Sequence, residues 1–157
     1  NMRKILLSIF IFSLSIVAMA ISGKVIRVSD GDTILLQSGN QRIKVRMYGI
    51  DAPELKQSYG KDSKNYLENR ILNKNVDIKV INEDKYGRKV GKVFYKNKDI
   101  NLEMIETGNA WFYEYHAKRE KEYRKAFKNA QEQKLGLWKE KNPQNPRNFR
   151  LENKREE

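Results

Sequence analysis

The chain of 157 residues has room for one domain with a proper core and hardly for two. It carries 32 Lys+Arg against 20 Asp+Glu, a formal charge of +12, and 39% apolar residues, the balance of a basic globular protein suited to a polyanion. Cysteine is absent and His116 is the single histidine, which excludes a disulfide framework, a thiolate zinc site, a cysteine nucleophile and any mechanism needing a histidine pair.

Arg3 and Lys4 precede an apolar run over residues 5–21 broken only by Ser8, Ser13 and Ser15, and Ala18-Met19-Ala20 supplies the small-x-small pattern that signal peptidase reads. Residues 1–20 are therefore expected to be a cleaved export signal and the mature protein to be secreted. The alternative is a retained membrane anchor, since the run is near the lower limit for spanning a bilayer.

Residues 23–28 and 33–37 are short β-rich runs separated by the turn chemistry of Ser29-Asp30-Gly31-Asp32, and Ser38-Gly39-Asn40 forms a second tight turn. Residues 42–48 alternate, with Ile43, Val45 and Met47 on one face and Arg42, Lys44 and Arg46 on the other. Three cations thus precede the loop Asp51-Ala52-Pro53-Glu54. Residues 61–72 read as a helix capped by Asp62 or Ser63. Val76, Ile78 and Val80 alternate as a strand, residues 82–88 make a charged turn, and residues 90–95 return. A short helix over 101–107 stops at Gly108, and 111–115 is an aromatic cluster. The longest helix is expected over 117–135, with Tyr123, Ala126, Phe127 and Ala130 as its apolar stripe. Gly136 ends it, and Leu137-Trp138 folds back as a hydrophobic clasp. Residues 139–157, with Pro143, Pro146 and mixed charges, show no period and are expected to be a disordered tail. Five short strands and three helices in residues 21–138 suit an α+β domain built on a five-stranded Greek-key β-barrel of the OB type.

Carboxylates gathered at turns in so basic a chain are candidates for holding a divalent cation. Asp30-Gly31-Asp32-Thr33, then Arg46 followed by Asp51-Ala52-Pro53-Glu54, then Asp84-Lys85-Tyr86-Gly87-Arg88 resemble, in order and spacing, the thermonuclease (staphylococcal nuclease-like) family. The closing Gly-Leu-Trp after a long helix strengthens the likeness, which runs from about residue 23 to 138. The resemblance implies an OB-type barrel with three helices, a single Ca²⁺, and hydrolysis of DNA and RNA to 3′-phosphate products. By position it makes Asp32, Asp51 and the Ala52 carbonyl the calcium ligands, Glu54 the general base, and Arg46 and Arg88 the phosphate-binding arginines. Lys85 and Tyr86 would flank the nucleotide, and either Tyr113 or Tyr115 would stack on it.

The residue types suit that chemistry in their own right. A hard cation prefers oxygen ligands and neutralises charge on an attacked phosphodiester. Arginine donates two parallel hydrogen bonds and stays charged at any working pH. Without a histidine pair the base has to be a carboxylate, and electrostatics from metal and arginine then carry much of the rate. Plainer roles compete. Asp30 can serve only as a turn former, Arg88 as an ion-pair partner of Asp84 or Glu83, His116 as a surface residue, and the basic residues of the long helix as a solvated face. The rival function is a non-catalytic OB-type nucleic-acid-binding module. It gains nothing from Asp32, Asp51 and Glu54 beside a phosphate groove, because they would repel the ligand.

Overall fold

The computed structural model describes residues 20–154. The apolar run and its cleavage motif lie outside these residues except for Ala20 and Ile21. No helix among the described residues is long and apolar enough to cross a membrane. In chain order the elements are β1 (Ala20–Asp30), β2 (Thr33–Ser38), β3 (Gln41–Met47), β4 (Ile50–Asp51) and α1 (Gly60–Ile71). These are followed by β5 (Asn75–Glu83), β6 (Lys89–Tyr95), β7 (Lys98–Asp99), α2 (Ile100–Glu106) and β8 (Trp111–Phe112). The chain closes with α3 (Lys121–Glu132), a 3₁₀ turn (Gly136–Lys139) and α4 (Pro146–Asn153).

One long strand serves two partners. The first half of β1 pairs with β5, from Ala20↔Lys79 to Lys24↔Asn75, and its second half pairs with β2, from Lys24↔Gln37 to Asp30↔Thr33. A bulge between Val25 and Arg27 adds the local twist that lets it turn from one to the other. β2 and β5 then pair antiparallel with β3 and β6. A parallel ladder of Val45↔Lys89, Arg46↔Val90 and Met47↔Gly91 joins β3 to β6 and closes the ring. The result is the five-stranded OB-type barrel expected from the strand pattern, with β4 and β8 paired separately at its mouth.

The alternation read in β3 holds at its core face, where Val45 and Met47 are buried. Arg46 departs from the rest of the polar face. Only 18% of its side chain is exposed, because the end of β3 runs into a cleft instead of open solvent. Leu67 and Ile71 of α1 and Ile100, Met104 and Ile105 of α2 join the barrel residues in the main core. Buried Asn101 ties these parts together: its Oδ1 accepts from the Val93 N–H, and its Nδ2 donates to the carbonyls of Tyr48 (2.8 Å) and Gly91 (3.1 Å). The chain just before the Asp51 loop is thereby fixed to β6 and α2. Leu137 and Trp138 are buried as the expected clasp, with Trp138 packed against Trp111 and Phe127.

Three expectations are corrected. Neither Asp62 nor Ser63 caps α1. The helix begins at Gly60 after Tyr59 in the left-handed region (φ 68°), and the Ser63 hydroxyl turns inward to the Asn109 carbonyl. The long helix spans Lys121–Glu132 and not 117–135: Ala117 is buried in a turn beside Gly49 before the helix begins, and Lys134 in the left-handed region (φ 52°) ends it short of Gly136. The tail is not wholly disordered: residues 146–153 form α4, so four α-helices stand among the described residues where three were expected. Asn145 caps α4 through its Oδ1 and the Arg147 N–H (2.9 Å), and Pro146 occupies the first turn, where its missing N–H costs nothing.

Gly31 shows how tightly the first turn is seated. A Cβ there would strike the Ser63 hydroxyl and sit 2.7 Å from the Ala52 Cβ. Gly31→Ala is expected to cost about 1–3 kcal/mol by overpacking and to push the Asp32 turn away from the Ala52 loop. Denaturant unfolding checks the first effect; an unchanged midpoint would mean that Ser63 yields freely.

Candidate active site

Asp30 and Asp32 flank the β1–β2 turn. The Asp30 Oδ1 accepts from the Asp32 N–H at 3.0 Å. Asp32 in turn accepts from the Thr33 hydroxyl (2.9 Å) and the Ala52 N–H (2.8 Å), so its carboxylate binds the first turn to the loop after β4. The Arg46 Nη2 lies 3.4 Å from Asp32 Oδ2 and 3.6 Å from Asp51 Oδ1, while its Nη1 donates to the Met47 carbonyl at 2.8 Å. Asp51, paired through β4 with Trp111 of β8, is buried. Glu54, half-exposed, follows the buried Pro53, and Gln57 fixes its backbone by accepting from its N–H and donating to its carbonyl.

Burial and ion pairing set the charges. Burial works against the Asp32 anion, but Arg46, the Asp30 carboxyl and the donors from Ala52 and Thr33 outweigh it and hold Asp32 below the usual carboxylate range. Burial pushes Asp51 up, aided by the charge of Asp32 and opposed by the guanidinium groups of Arg150 and Arg46. Burial and the neighbouring Asp32 charge push Asp30 up to about 8. The folded protein thus holds a proton on Asp30 that the unfolded chain gives up near 3.8. Stability from this group falls as pH rises from about 4 towards 8 and levels off above that. Asp30→Asn keeps the acceptor and removes the titration. In chelator, the variant is expected to lose less melting temperature than the parent between pH 6 and 9. Equal losses would locate the pH dependence elsewhere.

A cleft of about 480 Å³ gathers these groups. Its walls hold Asp32, Arg46, Asp51, Glu54, Lys85, Tyr86, Arg88 and Tyr113, together with Asp30, Asp84 and His116. Arg88 spends its Nε on Asp84 Oδ2 at 2.6 Å, and Asp84 Oδ1 also accepts from the Tyr86 and Arg88 N–H groups. The Arg88 Nη groups therefore remain for another anion. Exposed Tyr86 carries Lys85 and Arg88 over its ring, at 5.2 and 5.5 Å. Tyr113 lines the cleft, whereas Tyr115 is 70% exposed outside the wall, its ring 6.4 Å from that of Tyr113. Ala52 is buried behind the cleft and contributes its N–H to Asp32.

Arg150 of α4 is the site residue the sequence reading missed. Its guanidinium is bidentate on Asp51, with Nη1–Oδ1 3.0 Å and Nη2–Oδ2 2.9 Å, and Nη1 also reaches Glu54 Oε1 at 2.8 Å. The signal was the Asn145-Pro146 helix start, which places an arginine one turn inside a helix. Among the described residues, no three acidic or histidine side chains converge as a ready-made metal cage. The donor set nonetheless fits a hard cation: Asp32, Asp51 and Glu54 offer only oxygen, and arginines already counterbalance them.

Comparison with known proteins agrees with this arrangement. The sequence model of the family described as "Staphylococcal nuclease homologue" matches residues 44–140. A Haemophilus influenzae protein named "Uncharacterized endonuclease" is 38% identical over 157 residues, covering 97% of this chain and 88% of that protein. An Escherichia coli O157:H7 protein of the same name is 35% identical, covering 92% of this chain and 95% of its own length. The "Micrococcal nuclease" of Shigella flexneri is 34% identical over 142 residues, covering 84% of this chain and 82% of its own. With an OB-type barrel bringing carboxylates and arginines into one cleft, and with these relatives along nearly its whole length, the chain belongs to the staphylococcal nuclease family of nucleases.

Proposed function

We propose that this nuclease is an exported, Ca²⁺-dependent phosphodiesterase that cleaves DNA and RNA with little sequence specificity and leaves 3′-phosphate ends. The observation that carries the reading is the meeting of Asp32, Asp51 and Glu54 with Arg46 and Arg88 in one cleft. Exposed Tyr86 and the half-buried Tyr113 offer faces on which bases of any identity can stack, which suits a broad substrate range.

Asp32 and Asp51, with the Ala52 carbonyl expected beside them, would hold the calcium. Bound there, it supplies positive charge for a non-bridging phosphoryl oxygen. Glu54 takes a proton from water as the water oxygen bonds to phosphorus and the bond to the 5′-oxygen breaks; the departing 5′-oxygen takes a proton from solvent, Glu54 returns its own to solvent, and the phosphate stays on the 3′-oxygen. Arg46 and Arg88 bind the equatorial oxygens, where charge accumulates as attack proceeds. Arg88 reaches its oxygen from a guanidinium already oriented by Asp84.

Degradation of single-stranded DNA and of RNA by the purified protein, with Ca²⁺ and with EGTA, tests the reading. Loss of both substrates only with Ca²⁺ supports it; binding without cleavage would make the protein a binding module. Export rests on Arg3-Lys4, the apolar run over residues 5–21 and the Ala18-Met19-Ala20 motif. N-terminal sequencing from culture supernatant should begin at Ile21. Recovery solely from membranes with residues 5–21 intact would replace secretion by anchoring.

A further inference from the structure

We propose that Arg150 is an internal cation which the protein exchanges for its metal, so that calcium and helix α4 compete for Asp51. This rests on the calcium reading above. Both oxygens of Asp51 are engaged by the Arg150 fork, and the same guanidinium holds Glu54. Calcium approaches carboxylate oxygens to about 2.3–2.6 Å. A guanidinium 2.9–3.0 Å from both oxygens of the same carboxylate and a divalent ion on that carboxylate would be like charges at close quarters, with Arg46 already within 3.6 Å. The two cations can succeed each other there far more readily than share the group.

The helix that carries Arg150 is built to let go. α4 has eight residues, fewer than an isolated helix needs to persist in water, and Pro146 is its one buried residue. Its approach segment is pinned to the loop after Asp51 by the Gln57 amide on the Gln144 carbonyl and by the Ser58 hydroxyl on Glu140. Between loop and segment lies an open pocket of about 280 Å³, lined by Pro53, Gln57, Trp111, Pro143 and Phe149, so α4 and its approach segment do not pack closely on the barrel there. Arg150 is the contact that brings α4 onto the catalytic carboxylates. Its release would free Asp51 and Glu54 together and withdraw the part of the cleft wall formed by Arg150 and Lys154.

Calorimetric titration of the full chain with Ca²⁺ reads the exchange directly. If the Arg150-bound form makes up about nine-tenths or more of the apo protein, Arg150→Gln lowers the apparent calcium Kd by about tenfold or more. Arg147→Gln removes the same charge from the exposed side of the same helix and should leave the Kd unchanged. Arg150→Lys keeps the charge without the fork and should fall between parent and Gln. In EGTA, Arg150→Gln is expected to melt lower than the parent and to gain more melting temperature from calcium. This second measurement keeps the test valid if the variant is poorly folded without metal.

Equal calcium affinity in parent and Arg150→Gln overturns the exchange while leaving calcium binding intact. Weaker binding by the variant also overturns it and makes Arg150 a residue that preorganises Asp51. An equal gain in Arg147→Gln reduces the effect to net charge and overturns it too. Calcium binding by neither parent nor variant removes the calcium reading along with the exchange.

Discussion

Glu54→Gln is expected to lower kcat by about 10²–10⁴-fold, the usual contribution of a general base, while calcium and substrate binding change little. The side chain is placed for such a separation of effects. Gln57 fixes the backbone of Glu54 from both sides, and buried Pro53 stiffens the approach, so the substitution leaves the loop in position. Glutamine also keeps an oxygen for Arg150, which now holds Glu54 Oε1 at 2.8 Å. What disappears is the basicity. The measurement is kcat at saturating DNA and Ca²⁺, beside a calcium titration. Turnover within a few-fold of the parent would take Glu54 out of the base role, and loss of calcium binding would make it a ligand.

Arg46→Lys should cost about 10²–10³-fold in kcat, the scale for removing one preorganised donor to developing charge, with a much smaller change in KM. Lysine preserves the positive charge but has no fork. It cannot donate to the Met47 carbonyl and face Asp32 and Asp51 at once, as Arg46 does. A KM effect without loss of kcat would mean that Arg46 holds a distant phosphate, and the salt dependence of binding would then fall as well.

The parts of the site legible from sequence are those encoded within a few residues of one another. Asp32 sits in a turn announced by Gly31, and Asp51 and Glu54 in a loop announced by Pro53; each was readable because short-range turn chemistry places it. The alternation of β3 showed that Arg46 leaves the core face, but not that the face ends in a cleft, since that depends on β6 arriving beside it. Asn101 looked like an ordinary helix-start residue; that its amide joins Tyr48, Gly91 and Val93 is a property of three elements meeting. Arg150 was hidden for another reason. Asn145-Pro146 is equally a helix start and a chain breaker, and residues 139–157 carry no apolar period to decide between them; the helix is marked only by what Arg150 binds, Asp51 and Glu54. Tyr113 and Tyr115 lie two residues apart just after β8, and only the turn there decides which of them lines the cleft.

The closing ladder between β3 and β6 bears on when the protein becomes active during folding. β1, β2 and β3 form a meander of local hairpins, whose loop-closure entropy is small. The parallel contact must instead wait until α1 and β5 have been threaded between its two strands, and such non-local pairing is slow. Arg46 lies in that ladder opposite Val90, two residues from Arg88, so the two arginines of the cleft are brought together only as the barrel shuts. A chain that has folded its hairpins but not its seam has the carboxylate turn and lacks the paired arginines. The site is therefore completed only when the barrel closes, and competence arrives with the last strand.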